Sequence, residues 1–362
     1  MKDDLLKNKI SVFHFRINIL VVIFNLLLLS GCSNDNSHKN IPQSSFYFWR
    51  SAFTLSLPEK AMIDSLHTKK LFIKVFDIDW NPYTQDPQPL SLIRFISALP
   101  EKLSIVPTVF ITNRTFEHLR NGDIDQISER IKNKIFSIIP ANNRNSVKEI
   151  QIDCDWSKKT KAKYFHFLEA MSRRLKDSDI IISATIRLHQ YADPVNTGVP
   201  PVQQGVLMFY NMGELEGPNA VNSILDVNVG KQYLDRAYSY PIHLDIALPL
   251  YRWGVLIRRE RVVNLLHDLQ SEELQDSTLF QNIGTNKYRA RRGHYVSGVY
   301  VYPDDRIRLE SVTIEQLYYA STMLKKHFYS QSFDIIFFHL EPSLEAQYGI
   351  SNIRSLLISF SS

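Results

Sequence analysis

The tract Glu149-Ile-Gln151-Ile-Asp153-Cys-Asp155-Trp-Ser157 concentrates carboxylates at two-residue spacing. Side chains alternate along an extended chain, so Glu149, Gln151, Asp153 and Asp155 share one face, and Ile150, Ile152 and Cys154 share the other. Asp153 and Asp155 would then stand roughly 6–7 Å apart along a strand. Crowded carboxylates raise one another's pKa, which turns one of them into a proton donor near neutral pH. Four polar groups on one buried face are costly unless they serve a hydrated pocket or a hydrogen-bonded network. The same alternation pairs Asp77 with Asp79. For both pairs a purely structural network is the competing reading.

Other apolar runs also end in polar or aromatic residues: Arg187 and His189, Tyr210 and Asn211, Tyr251 and Trp253, His339 and Glu341. Trp49, Trp80, Trp156 and Trp253 all fall at or near such ends. A flat apolar ring suits the C–H face of a sugar, and equally suits a packed core. Arg187 and His189 can bind an anionic sugar or pair with Asp153 and Asp155, since buried charges need partners. Cys154 reads as a small packed thiol. No His/Cys/Asp spacing reads as a metal site, and there is no glycine-rich phosphate loop or Gly-x-Ser-x-Gly elbow. No cofactor is expected.

The elements that must position these residues alternate between short apolar strands and amphipathic helices, which argues for parallel β-α units. Strands are expected at 46–53, 71–80, 105–113, 149–156, 180–190, 205–213, 243–253 and 333–340. Helices are expected at 90–99, 123–139, 160–176, 223–238 and 313–328, with Ile127, Ile131 and Ile135 spaced by four in the second. Ser56 is placed to cap a further helix, with Pro58 in its first turn. Eight strands with mostly helical connections give an α/β, TIM-like (β/α)8 barrel, whose functional groups gather at the C-terminal ends of its strands. Residues 192–204 read as loop. The stretch after the seventh strand is too long for one connection, so residues 258–310 read as an insertion between strands 7 and 8. It would hold a helix at 261–269 and a strand pair around Tyr295–Tyr302.

The fourth strand resembles the Asp-x-x-Asp-x-Asp-x-Glu motif of chitinase-type glycoside hydrolases. Leu207-Met-Phe-Tyr210-Asn211 is similar to that family's Met-x-Tyr-Asp/Asn sixth strand, and Leu248-Pro249-Leu-Tyr251 to its seventh-strand Pro-x-Tyr. The likeness runs from about 149 to 341. The chain from Cys32 onward also resembles an uncharacterised family of bacterial lipoproteins, a distant branch of sugar-cleaving barrels that brings no established activity. The chitinase resemblance implies a substrate-assisted mechanism with one protein acid, a supporting Asp and a tyrosine. Asp155, Asp153 and Tyr210 would take those roles. Trp49, Asp77, Asp79, Trp80, Gln151, Arg187, His189, Asn211, Tyr251, Trp253, His339 and Glu341 would contact the glycan. The sequence departs from the motif. If Asp153 and Asp155 match its last two Asp, the acid position holds Ser157, which cannot donate as a carboxylic acid does. If the register shifts by two, Asp155 replaces the glutamate and Gln151 the middle Asp. A two-carboxylate mechanism with Glu341 or Asp79 as the second group is a further possibility. The expected function is cleavage or recognition of a glycan, and the alternative is a catalytically silent glycan binder.

The first residues carry Lys2, Lys7, Lys9 and Arg16, then an apolar run from Ile17 to Leu29. That run is shorter than the roughly 20 residues of a membrane span and fits a signal peptide. It closes on Leu29-Ser30-Gly31-Cys32, which resembles a lipobox and implies cleavage before Cys32 and lipidation of Cys32. Residues 1–31 are thus expected as leader, 32–45 as a flexible polar tether and 46–362 as barrel. The protein would sit in the cell envelope, lipid-anchored at the outer membrane or the periplasmic face. With Cys32 lipidated, Cys154 has no partner for a disulfide. The chain has a net charge of +5. The leader's four Lys/Arg against two Asp leave about +3 for the rest, with no basic block of the kind that marks nucleic-acid binding.

Overall fold

The computed structural model describes residues 41–361 apart from positions 218, 219, 238 and 268. The expected leader, Cys32 with its expected lipid and most of the expected tether lie outside the described residues. Eight strands form the barrel: β1 (Ser44–Phe48), β2 (Lys70–Asn81), β3 (Ser104–Ile111), β4 (Glu149–Asp153), β5 (Ile181–Arg187), β6 (Gln204–Met208), β7 (His243–Pro249) and β8 (Ile335–Phe338). Each is parallel to its neighbours, and β1 pairs with both β8 and β2, which closes the sheet. The fold is a TIM-type barrel. Closure removes the free edges that an open sheet would expose.

The outer layer follows from helical periodicity. Helix α1 (Leu57–Ser65) opens on a Ser56/Glu59 capping box. Helix α2 (Ile124–Ile138) buries Ile124, Ile127, Ile131 and Ile135, a stripe that can only face the sheet. Helix α3 (Lys161–Leu175) buries Tyr164, Phe167, Leu168, Met171 and Leu175. Helix α4 (Val227–Leu234) is shorter than the stretch expected to be helical, its start fixed by Asp226 accepting from the N–H groups of Asn228 and Val229. Helix α5 (Ile314–His327) starts on a Thr313/Gln316 capping box. Among the described residues no helix is long and apolar enough to cross a membrane.

Two helices expected from sequence are strands. Residues 90–99 do not coil: Asp86–Leu90 runs antiparallel to the end of β2, and Arg94–Phe95 pairs with Ala52–Phe53. Pro87 and Pro89 lack the N–H a helix needs, and the N–H groups of Arg94 and Ile96 donate instead to Ser51 and Phe53 carbonyls. Residues 261–269 likewise give a strand, Arg261–His267, antiparallel to Arg252–Arg258. The cause is the turn between them. Arg259 and Glu260 both take left-handed backbone, with φ of 50° and 66°, and that pair of conformations reverses a strand into a hairpin. Between β7 and α5 the chain builds a five-stranded antiparallel sheet, and a separate hairpin of His294–Val296 with Val299–Val301. This region has its own apolar centre, including Leu256, Leu266, Phe280 and Ile307.

Candidate functional site

The barrel interior is polar in layers. Lys70 and Glu149 form an ion pair of 2.8 Å near the start of β4. One layer up, the Tyr47 hydroxyl donates to Gln151 Oε1 at 2.8 Å, with both residues fully buried. Above that, the Thr185 hydroxyl donates to Asp153 Oδ1 at 2.6 Å. Asp153 is only 6% exposed. Burial first, and the charge of Asp155 next, push its pKa up to about 6, against the Thr185 hydrogen bond and the Arg187 charge. The proton is retained because water is scarce around the carboxyl.

Asp155 lies past the end of β4. Its side chain is 54% exposed, and Oδ1 stands 3.4 Å from Arg187 Nε. Arg187 in turn reaches the Asn211 carbonyl at 3.5 Å, and the Asn211 side-chain oxygen accepts from the Tyr251 hydroxyl. Tyr210 is 2% exposed. Its ring stacks on Phe338 at 5.2 Å and meets Tyr251 edge-on at 6.2 Å. The Tyr210 hydroxyl is buried and has no hydrogen-bond partner among the described residues. Burial, with Tyr47 and Asp153 nearby, raises its pKa far above the ordinary value. It is therefore a neutral donor without an acceptor, an arrangement that buried hydroxyls rarely tolerate. Asp153, Asp155, Arg187, Tyr210, Asn211 and Tyr251 thus form one connected group at the C-terminal ends of four strands.

Tyr47, Lys74 and Thr185 join this group without having been anticipated, beside Trp49 and Asp77, which the sequence singled out. Trp49 packs on Tyr47 and Phe338, with Lys74 Nζ 5.4 Å from its ring centre. Lys74 also pairs with Asp77 at 3.1 Å. Alternation along β2 would set Lys74 and Asp77 on opposite faces, but the register shifts between Lys74 and Phe76 and brings them together. A bulge of this kind leaves no mark in the residue pattern. Tyr47 and Thr185 were legible in principle, since each shares a face with a residue already singled out, Trp49 and Arg187.

Other candidates are engaged elsewhere. Asp79 accepts from the Thr112 hydroxyl at 2.7 Å, the Trp80 N–H at 2.8 Å and the Arg114 guanidinium. Burial pushes its pKa up, but these donors outweigh it and hold the carboxyl below the usual range. Trp80 stacks on His118 at 5.4 Å. For Trp156 the structure takes the packed-core reading of the two left open: it is 2% exposed, stacks on Tyr164 of α3 at 5.2 Å and donates to the Thr197 carbonyl. Position 156 falls on the outward face of the alternation, so its ring belongs to the strand–helix core. Trp253 donates to Glu310 Oε2 at 2.9 Å. His189 is exposed, and partial burial with the Arg187 charge lowers its pKa. His339 follows a cis peptide after Phe338, and its ring lies 6.5 Å from that of Tyr251. Glu341 is half-buried. Among the described residues no His/Cys/Asp/Glu cluster is arranged to hold a metal ion.

Solved structures place this architecture. The spore cortex-lytic enzyme SleL of Bacillus megaterium aligns over 86% of this chain and 73% of its own, with a TM-score of 0.51 and 12% identity. A glycoside hydrolase family 18 N-acetylglucosaminidase from Paenibacillus barengoltzii aligns over 87% of this chain and 99% of its own, with a TM-score of 0.51 and 11% identity. This is the fold of the chitinase-type glycoside hydrolases. A mutant of the Group II chitinase catalytic domain 2 of Ostrinia furnacalis in complex with (NAG)5 aligns over 88% of this chain and 97% of its own, at TM-score 0.50 and 7% identity. No protein-family profile and no curated protein matches the sequence. When Asp153 and Asp155 match the last two Asp of the motif, its glutamate position is Ser157, and when the register shifts by two it is Asp155. Ser157 is tied locally, its N–H donating to Thr160 Oγ1 at 2.9 Å.

Proposed function

We propose that the barrel mouth recognises a glycan of N-acetylated amino sugars and does not cleave it by the chitinase route. The observation that carries this reading is the pair of positions 155 and 157. Asp155 is solvent-exposed and stands 3.4 Å from Arg187, and Ser157, which cannot donate as a carboxylic acid does, takes the acid position when Asp153 and Asp155 match the motif's last two Asp. The recognition half of the proposal rests on the aromatic group of Trp49, Tyr210 and Tyr251 beside the polar atoms of Asp153, Arg187 and Asn211. Aromatic walls with a few placed polar groups are the usual make-up of a small-molecule site. The test is calorimetric titration with chitopentaose, alongside product analysis after long incubation with chito-oligosaccharides and aryl glycosides. Saturable binding with no products supports the reading. Product formation that disappears in Asp155→Asn overturns its second half, and absence of binding overturns the first.

One observation favours hydrolysis as a second reading. Burial first and the charge of Asp155 next raise the pKa of Asp153, and the chitinase resemblance gives a substrate-assisted mechanism one acid with a supporting Asp. Asp155 would then act as acid, Asp153 as its support and Tyr210 as the group that orients the sugar. Asp79 is a poor second carboxylate, because Arg114 already holds it.

The proposal includes anchoring in the cell envelope through a lipid on Cys32. It is supported by the positive lead, the apolar run and the Leu29-Ser30-Gly31-Cys32 tract. Metabolic palmitate labelling that persists in Cys32→Ser would remove this part.

A further inference from the structure

Asp79 and Arg114 stand on the same rim of the barrel as the Asp153–Tyr210 group, and two routes connect them to it. Along β2, Asp77 lies near enough to Asp153 for its charge to act on that carboxyl. Alternation puts Asp79 on the face of Asp77, roughly 6–7 Å further along the strand. From the end of β4, the Ser157 N–H donates to Thr160 Oγ1 at 2.9 Å, and the Thr160 hydroxyl donates to Asn113 Oδ1 at 2.5 Å, next to Arg114. The ends of β2, β3 and β4 therefore carry one continuous polar rim.

Arg114 is fixed in place there. It belongs to the helical turn Asn113–His118 after β3, which Thr112 caps by accepting from the Thr115 N–H. The Thr112 hydroxyl donates to Asp79 Oδ1 at 2.7 Å, and Arg114 donates to the same carboxylate through Nε and Nη2. One carboxylate thus orients both the cap and the guanidinium. A guanidinium carries more N–H donors than the two that Asp79 takes up, and the others have no acceptor among the described residues. The Arg114 side chain is 56% exposed. Leu90, itself 48% exposed, stands opposite Asp77 on the antiparallel strand Asp86–Leu90, and directly opposed residues share a face. Asp79 cancels the charge of Arg114, so the pair suits a neutral ligand. Oriented donors near an apolar side chain match a sugar ring, with acceptor oxygens at its edge and C–H groups on its faces.

We infer that Arg114 binds a sugar further along the glycan chain, beyond the disaccharide that meets the Asp153–Tyr210 group, with Asp79 as its positioning residue. The inference rests on the glycan reading proposed above and adds a dependence on chain length to it.

Calorimetric titration with chitopentaose and chitobiose tests it. The unaltered protein is expected to bind chitopentaose more tightly than chitobiose. Arg114→Ala should weaken chitopentaose binding about tenfold, the worth of one or two hydrogen bonds, and leave chitobiose binding unchanged, so the gap between the ligands narrows. Arg114→Lys keeps the charge without the planar fork and should lose as much. Asp79→Asn, which releases the guanidinium, should act in the same direction. An exposed ion pair adds little stability, so these variants are expected to melt with the unaltered protein. Unchanged chitopentaose affinity in Arg114→Ala, full retention in Arg114→Lys, or an equal loss for both ligands overturns the inference and leaves the glycan reading standing. No chitopentaose binding by the unaltered protein removes both.

Discussion

Asp153 illustrates how one buried carboxyl ties stability to pH. Its folded-state pKa of about 6 lies above the ordinary 3.8, so between those values the folded protein holds the proton more tightly than the unfolded chain. Stability therefore falls as pH rises from about 4 to about 6 and levels off above, since the slope follows the difference in bound protons. Asp153→Asn keeps an acceptor for Thr185 and removes the charge. It should be more stable than the unaltered protein by up to about 3 kcal/mol at pH 8, from a shift of about two units, with the gap closing near pH 4. Urea denaturation at the two pH values decides this. Tyr210 offers a second test at the same scale. Removing its unpartnered hydroxyl relieves a desolvation cost of about 1 kcal/mol or more, so Tyr210→Phe should fold at least as stably as the parent. If that hydroxyl serves a sugar, the same variant should bind chitopentaose about tenfold more weakly, one hydrogen bond's worth. A loss of stability with binding intact would assign the hydroxyl to the core instead.

At the scale of elements, the sheet after β7 is joined to the barrel by a buried charge. Glu310 is 1% exposed and accepts from the Ser223 N–H and hydroxyl, the Trp253 indole and the Arg308 guanidinium. Ser223 lies in the loop after β6, so one carboxylate bridges two parts of the chain. Glu310→Gln leaves Arg308 buried without its counter-charge, a change that typically costs about 3–5 kcal/mol. A lowered urea midpoint is the expected readout, and unchanged stability would mean that the Leu215 carbonyl suffices for Arg308. Packing between β4 and α3 gives a comparable figure. Trp156→Ala should cost about 3–5 kcal/mol as a buried aromatic truncation and leave glycan affinity unchanged in the protein that still folds. Loss of affinity without loss of stability would return Trp156 to the mouth.

For the whole molecule, closure depends on β1. That strand is buried along its length and pairs on both sides, although it is the first described element. A chain beginning at residue 41 should melt at the same temperature as one beginning at residue 33. A chain beginning at residue 50 would leave the edges of β8 and β2 unpaired and should fail to fold cooperatively. Far-ultraviolet circular dichroism during heating separates the outcomes.

The sequence by itself determined what is local or periodic. Alternation in β4, the four-residue isoleucine spacing of α2 and the Ser56 cap of α1 are properties of neighbouring residues, and with the polar ends of the apolar runs they pointed to parallel β-α units and to Asp153, Asp155, Tyr210 and Tyr251 near strand ends. Hairpin 252–267 was missed because left-handed backbone at Arg259 and Glu260 is unusual for those residue types. Lys74 was missed because a shift of register, not a residue, turns it toward Asp77. Only the tertiary structure decided which charges meet. Asp79 went to Arg114, distant in sequence, and Asp155 took Arg187, a pairing that the sequence left open beside an anionic sugar. An ion pair depends on distance and desolvation, and neither exists until the barrel has closed.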